Sequence, residues 1–345
     1  MTDPHNRKNK LTNAIKRLEN SNYAESDKEL LLDFRDHLFA ENISISRVDR
    51  YITTFLNFEP HIDFKLDEAD KKDIISLVGK INQDVVGQKE QVSPWTKAEW
   101  KKGLKKFYKW HTQKENPEIV DFFSSQPKRK NIKMTDPDDL PDEDIVLQIR
   151  REMQNDRDRA FIRSLYESGT RISELLNLKW GNIRSKDSYA VLKVDGKTGE
   201  RRIPVKDCLD DLMKWKKEHP NSEEDSYVFT KLEKDEQISY AGIRQQKVRA
   251  VEDFDEEPDC KTNFHAFRKA RATFLARKNM GIFQLMQFFG WRDPDTAKTY
   301  VRLANSDLEE TFKEMHGIEE GSRNSGNQTS QRRIEGSNKT AAALQ

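Results

Sequence analysis

Residues 157–180, RDRAFIRSLYESGTRISELLNLKW, decide the fold. Apolar residues recur at three- and four-residue steps up to Ser168, Gly169 follows as a helix stop, and a second apolar run begins at Ile172. The stretch therefore reads as helix, tight turn, helix. Arg171 and Glu174 stand three apart in the first turn of the second helix, on one face. A helix N-terminus favours anions and disfavours an unpaired arginine, so Arg171 either pairs with Glu174 or is poised at an anion site.

Outward from this centre the pattern changes period. Downstream, Tyr189–Val194 and Arg201–Val205 are β-rich runs flanking Asp195-Gly196-Lys197-Thr198-Gly199-Glu200, a hairpin signal. Helical spacing then returns at about 206–218, 239–252, 263–279, 282–289, 295–304 and 306–316, with Gly281 and Gly290 as stops and Asp295 as an N-cap. Upstream, a helix at about 142–154 follows an acidic stretch, and the polar segment Ser124–Lys133 carries Lys128, Arg129, Lys130 and Lys133 around Pro127, as an interdomain linker would.

Before that linker the chain reads as all helix, at 9–20, 25–41, 44–57, 66–82 and 95–112. Val48, Ile52, Phe55 and Leu56 form one apolar stripe, and Trp100, Leu104, Phe107 and Tyr108 another. Around the last helix lie Lys97, Lys101, Lys102, Lys105, Lys106 and Lys109, with Glu99 the only acid before Glu115. That face is either simply solvated or tracks phosphates. The expected division is a flexible N-terminus over 1–8, a helical domain over 9–123, the linker over 124–133, a mixed domain over 134–317 and a tail over 318–345 too polar to fold alone. The fold class is thus mainly α with a small β-hairpin or sheet.

Composition narrows the function. Charged residues make up 35 % of the 345, against roughly 25 % in ordinary soluble chains, while 61 Lys and Arg nearly cancel 60 Asp and Glu. Any attraction to a polyanion is therefore local. No apolar run approaches membrane-spanning length and Met1–Lys10 lacks a hydrophobic signal core, so a cytoplasmic protein without a membrane partner is expected. Cys208 and Cys260 form no CxxC pair and no histidines stand in HExxH spacing, so no metal site and no cofactor are expected. Gly196-Lys197-Thr198 resembles the end of a P-loop, but Val191 replaces the required first glycine and a strand follows where a helix should start.

What remains is a cationic set: Arg171 near Glu174, the hairpin lysines, His265 and Arg268 three apart on a helix, and Gly290-Trp291 leading to Tyr300. The ordered series GTRISELLNLKW, GKTGERRIPV, HAFR and GWRDPDTAKTYV resembles the catalytic domain of the tyrosine recombinase (phage integrase) family, and LKKFYKWH before a linker resembles its core-binding domain. The resemblance spans about 10–316. It implies an all-helical core-binding domain followed by an α+β catalytic domain of the DNA breaking-rejoining type. It makes Arg171 and Arg268 phosphate-binding arginines, Lys197 the hairpin lysine, His265 the residue at the first histidine position, Trp291 the occupant of a His-or-Trp position, Tyr300 the nucleophile and Glu174 the supporting acid. Lys193 competes with Lys197 as the amine that reaches the leaving group.

Phosphodiester attack by an oxygen builds negative charge on non-bridging oxygens, which two arginine forks can hold without metal. A phenol with its ordinary pKa near 10 needs a base, for which His265 is the candidate, and the departing 5′-oxygen needs a proton. The product, a 3′-phosphotyrosine, keeps the bond energy, so rejoining needs no ATP. The expected activity is site-specific DNA recombination or integration on double-stranded DNA, and the resemblance implies a homotetramer on two sites. Lys97, Lys101, Lys105, Lys109, Lys128, Arg129 and Lys130 are the expected DNA contacts. The rivals are a type IB topoisomerase and a non-catalytic DNA-binding regulator of the same fold.

Overall fold

The computed structural model describes residues 3–87, 91–127, 139–196, 198–304 and 316. Lys128, Arg129, Lys130, Lys197, the tail and, apart from His316, the helix expected at 306–316 lie outside the described residues.

Five helices come first: α1 (Arg7–Glu19), α2 (Glu25–Ala40), α3 (Ile45–Phe58), α4 (Lys71–Asn82) and α5 (Pro94–Thr112). Their apolar stripes meet in one cluster in which Phe34, Phe55 and Phe107 are fully buried. Phe107 stacks edge-on to Phe34, with centroids 5.3 Å apart, and lies 4.8 Å from Phe55. Helix α4 starts later than the apolar spacing suggests. Asp70 accepts hydrogen bonds from the Lys72 and Asp73 amides as an N-cap, while the Leu66 amide donates to Asp27 and the Leu66 carbonyl accepts from Tyr108. Residue 66 is tied to other helices before the helix can reach it.

A second buried cluster gathers the rest of the chain. Helices α6 (Glu143–Glu152) and α7 (Asp156–Ser168) lead through Gly169 to the short α8 (Ile172–Leu176). Gly169 has φ +55, and a Cβ there would lie 2.4 Å from Phe289, so glycine answers both the backbone and the space. A three-stranded antiparallel sheet follows, in the order β1 (Ile183–Ser185), β2 (Ala190–Gly196), β3 (Gly199–Val205). Gly196 pairs with Gly199 at the end of the β2–β3 hairpin. Along β3, burial alternates so that Arg201, Ile203 and Val205 face inward. Glu167 of α7 accepts the Asp207 and Cys208 amides, fixing the end of β3 to the central helix.

Helix α9 (Leu209–Glu218), the two-stranded β4 (Thr230–Lys231) and β5 (Lys234–Gln237), and helices α10 (Tyr240–Glu252), α11 (Phe264–Arg277), α12 (Ile282–Phe289) and α13 (Pro294–Ala304) complete the order. Strands β1, β4 and β5 are additions to the sequence-based expectation; each has only two to four residues, too short to show a period. Two helix boundaries also differ. Asn279, at φ +60, makes the left-handed stop after α11, and Gly281 is instead the N-cap of α12. The cap of α13 is Asp293, whose carboxylate accepts the Asp295 amide; Pro294 takes the first helical position, where a missing N–H costs nothing. No helix among the described residues is long and apolar enough to cross a membrane.

Candidate active site

The turn between α7 and α8, the start of α11, the end of α12 and the middle of α13 converge on one group of side chains. Arg268 is its buried centre. Its Nη1 donates to the Gly169 carbonyl and its Nη2 to the Phe289 carbonyl, both at 2.6 Å, and its guanidinium lies over the rings of Phe289 at 5.1 Å and Trp291 at 5.7 Å. Burial, together with the Arg171 charge, brings its pKa down to about 10, which still leaves it cationic at neutral pH. Among the described residues this buried arginine has carbonyl partners but no carboxylate of its own, which leaves its charge able to serve an anion.

Arg171 precedes α8 and remains partly exposed. Its Nη1 donates to Glu174 Oε1 at 2.8 Å and its own amide to Oε2 at 2.8 Å. The first sequence reading of Arg171, a pair with Glu174, is what the structure holds, and the guanidinium stays partly exposed at the start of α8. Burial pushes the Glu174 carboxyl up, but hydrogen bonds from Arg201 and Arg171 outweigh it and hold the pKa below the usual range.

His265 occupies the first turn of α11, with Asn263 as N-cap. Its residue surface is exposed, yet crowding of the ring, reinforced by the charges of Lys269, Arg268 and Arg171, lowers its pKa. At neutral pH this imidazole is uncharged and can accept a proton.

Trp291 and Tyr300 form the outer wall. Phe289, Trp291 and Tyr300 stack in series, with centroids 4.6 Å and 5.0 Å apart and the last two rings within 5° of parallel. Burial raises the Tyr300 pKa, partly countered by Arg268. The phenol is thus protonated at pH 7, and to act as a nucleophile it would have to give that proton up.

Lys193 of β2 is exposed and bridges to Glu200 at 2.9 Å. The lysines of α5 are engaged within their own domain. Lys97 donates to Asp84 and to the Asn82 carbonyl, Lys101 to Asn82, Lys105 lies over the Phe123 ring, and Lys109 pairs with Glu115. Among the described residues, no group of three or more His, Cys, Asp or Glu side chains could hold a metal ion.

One residue of the cluster escaped the sequence reading. Arg201 donates from Nη2 to Glu174 Oε2 at 2.7 Å and from Nε to the Phe288 carbonyl at 2.9 Å. The signal was present: a charged side chain in period-two register with Ile203 and Val205, at a position that faces the core.

Residues 142–307 match the sequence model of the Phage integrase family. The tyrosine recombinase XerA of Pyrococcus horikoshii is 25 % identical over 201 residues, covering 57 % of this chain and 68 % of that protein. Tyrosine recombinase XerC of Leptospira interrogans is 27 % identical over 167 residues, 48 % of this chain and 52 % of the relative. Among solved structures, a lambda integrase dimer bound to a core site superposes with a TM-score of 0.60 at 16 % identity, covering 79 % of this chain and 76 % of that one. The Tn1549 transposon integrase in complex with transposon right end DNA gives 0.60 at 15 %, covering 82 % and 99 %. Residues 142–307 of this chain thus resemble the phage integrase family, and the two relatives named above are tyrosine recombinases.

Proposed function

We propose that this protein is a site-specific DNA recombinase that cuts and rejoins strands through a 3′-phosphotyrosine, with residues 9–123 as its core-binding domain and 134–317 as its catalytic domain. The observation that carries the reading is the gathering of Arg171, Arg268, His265 and Tyr300 at one place from three separate elements, the start of α8, α11 and α13. The Tyr300 oxygen attacks the phosphorus while His265 takes the phenolic proton; the P–O5′ bond breaks and the 5′-oxygen receives a proton from a hairpin amine, Lys197 in preference to the Glu200-paired Lys193. Arg171 and Arg268 hold the charge that grows on the non-bridging oxygens, each contributing about 3 to 4 kcal/mol of barrier lowering. Attack by another strand's 5′-hydroxyl on the phosphotyrosine reverses the step and releases Tyr300.

Lys101, Lys105 and Lys109, with linker residues Lys128, Arg129 and Lys130, are the proposed phosphate contacts of a clamp around duplex DNA, whereas Lys97, held by Asp84 and the Asn82 carbonyl, is not. Solved structures similar to this fold include a lambda integrase tetramer bound to a Holliday junction, which supports a homotetramer on two sites as the working assembly here. Removing residues from 305 onward should then abolish assembly on paired sites while single-site binding survives; an unchanged synaptic complex in gel filtration refutes that role for the C-terminal segment.

The deciding experiment is a nicked suicide substrate carrying a candidate site, followed by mapping of the residue left bonded to DNA. A peptide containing Tyr300 supports the reading, and an adduct elsewhere sinks it. Relaxation of supercoils with no recombinant products would favour the topoisomerase rival instead.

A further inference from the structure

Arg201 stands where an aliphatic residue would be expected. Its neighbours in the inward row of β3 are Ile203 and Val205, and its side chain is 7 % exposed. Burying an ion pair is often no more stabilising than filling the same space with apolar groups, so stability alone does not account for a guanidinium here.

Its contacts suggest what does. Glu174, 2 % exposed at its side chain, is shared between two arginines: Oε1 receives Arg171 Nη1, and Oε2 receives both the Arg171 amide and Arg201 Nη2. A carboxylate with Arg171 alone would be a neutral pair, offering little field to a phosphate. With Arg201 added, the trio keeps one net positive charge, and the exposed member of the trio is Arg171.

Arg201 also reaches the C-terminal end of α12. Its Nε takes the Phe288 carbonyl and Arg268 Nη2 takes the next one, Phe289, so two guanidiniums cap the negative end of the same helix. The packing is tight. A Cβ at Gly196 would lie 2.2 Å from Glu174 Oε1, and one at Gly290 would lie 3.3 Å from Arg201 Nη1, a buried nitrogen without a hydrogen-bond partner among the described residues.

The geometry points to Arg201 as a positioning residue for phosphate activation. It acts through Glu174, supplying the countercharge that lets Arg171 present its own charge to the scissile phosphate, and it holds the α12 terminus that anchors Arg268. The inference rests on the recombinase reading, in which Arg171 binds that phosphate.

The test uses the full chain in single-turnover cleavage of two suicide substrates, one with an ordinary scissile phosphodiester and one with a methylphosphonate, whose scissile group carries no charge. Each variant is compared with wild type on the same substrate. Arg201→Met should lose about 10²-fold on the phosphodiester and less than about tenfold on the methylphosphonate. The double variant Glu174→Gln with Arg201→Met, which restores the net positive charge, should recover at least about tenfold of the phosphodiester loss. Equal losses on both substrates, with no recovery in the double variant, overturn the proposal in favour of a purely structural arginine. Should Arg201→Met fail to fold by thermal melting, Arg201→Lys carries the test: it keeps the charge, so a loss under about tenfold supports the proposal and a loss above about 10²-fold overturns it. Arg171→Ala serves as the control on the underlying reading. If it is impaired equally on both substrates, the assignment of Arg171 to the phosphate fails, independently of Arg201.

Discussion

The chemistry proposed for Tyr300 depends on a proton that burial makes harder to remove. Tyr300→Phe keeps the ring stacked on Trp291 and removes only the oxygen, so DNA binding should be unchanged in a mobility-shift assay while no covalent adduct forms on a denaturing gel. On the proposed mechanism His265, as the base, sets the pH response. Its pKa is lowered in the fold, first by desolvation and then by Lys269, Arg268 and Arg171, so the protonated, inactive form accumulates only below its ordinary value of 6.5. Single-turnover cleavage should rise with pH through that acidic range and then level off; His265→Gln should slow cleavage by about 10²-fold or more and erase the acid limb. An acid limb that survives the substitution would assign it to another group. Glu174 shifts in the same sense: its folded carboxyl is depressed, so its stabilising contribution is present above the unfolded carboxylate pKa and is lost as pH falls through the folded one.

Between elements, the junctions matter more than the helices themselves. The turn from α7 to α8 is held by Gly169, whose left-handed backbone brings its carbonyl to Arg268 and leaves room for Phe289 only because there is no Cβ. Gly169→Ala forces about 1 to 2 kcal/mol of backbone strain in addition to a clash with a buried ring. Thermal melting should fall by at least several degrees, at roughly 2 to 4 °C per kcal/mol for a domain of this size. Cleavage should fall with it, because the displaced groups are the anchors of Arg268. A glycine-to-alanine change that leaves both melting and cleavage untouched would mean the turn relaxes freely.

Over the whole molecule, the near balance of 61 basic and 60 acidic residues means that DNA affinity must come from local faces. Binding should weaken linearly in log–log plots against salt, with a slope of about −0.9 per phosphate neutralised. The α5 lysines should not contribute alike. Lys97 is clamped by Asp84 and the Asn82 carbonyl, so Lys97→Ala should cost stability while leaving the salt slope unchanged. Lys105, held only against a ring face, can turn to a phosphate, and Lys105→Ala should reduce the slope by about one. A slope altered by Lys97→Ala and untouched by Lys105→Ala would reverse that assignment. Cleavage should also proceed unchanged with EDTA, since guanidiniums supply the charge; loss restored by magnesium would contradict the proposed chemistry.

Much of this was legible in the chain order. Helical period, the Gly169 stop, the hairpin turn and the sequence of Arg171, His265, Arg268, Trp291 and Tyr300 are local features, because spacing along a helix or strand is set by backbone geometry within a few residues. Short strands β1, β4 and β5, the Asn279 stop and the late start of α4 were not, since each depends on partners outside its own segment. Tertiary structure alone decided that Glu174 serves Arg201, 27 residues away, as well as its helical neighbour, and that Tyr300 lies flat against Trp291. An ion shared across such a distance, and a ring parked on another ring, follow from burial: a charge removed from water takes whatever countercharge the fold brings within reach, and no local pattern records which one that is.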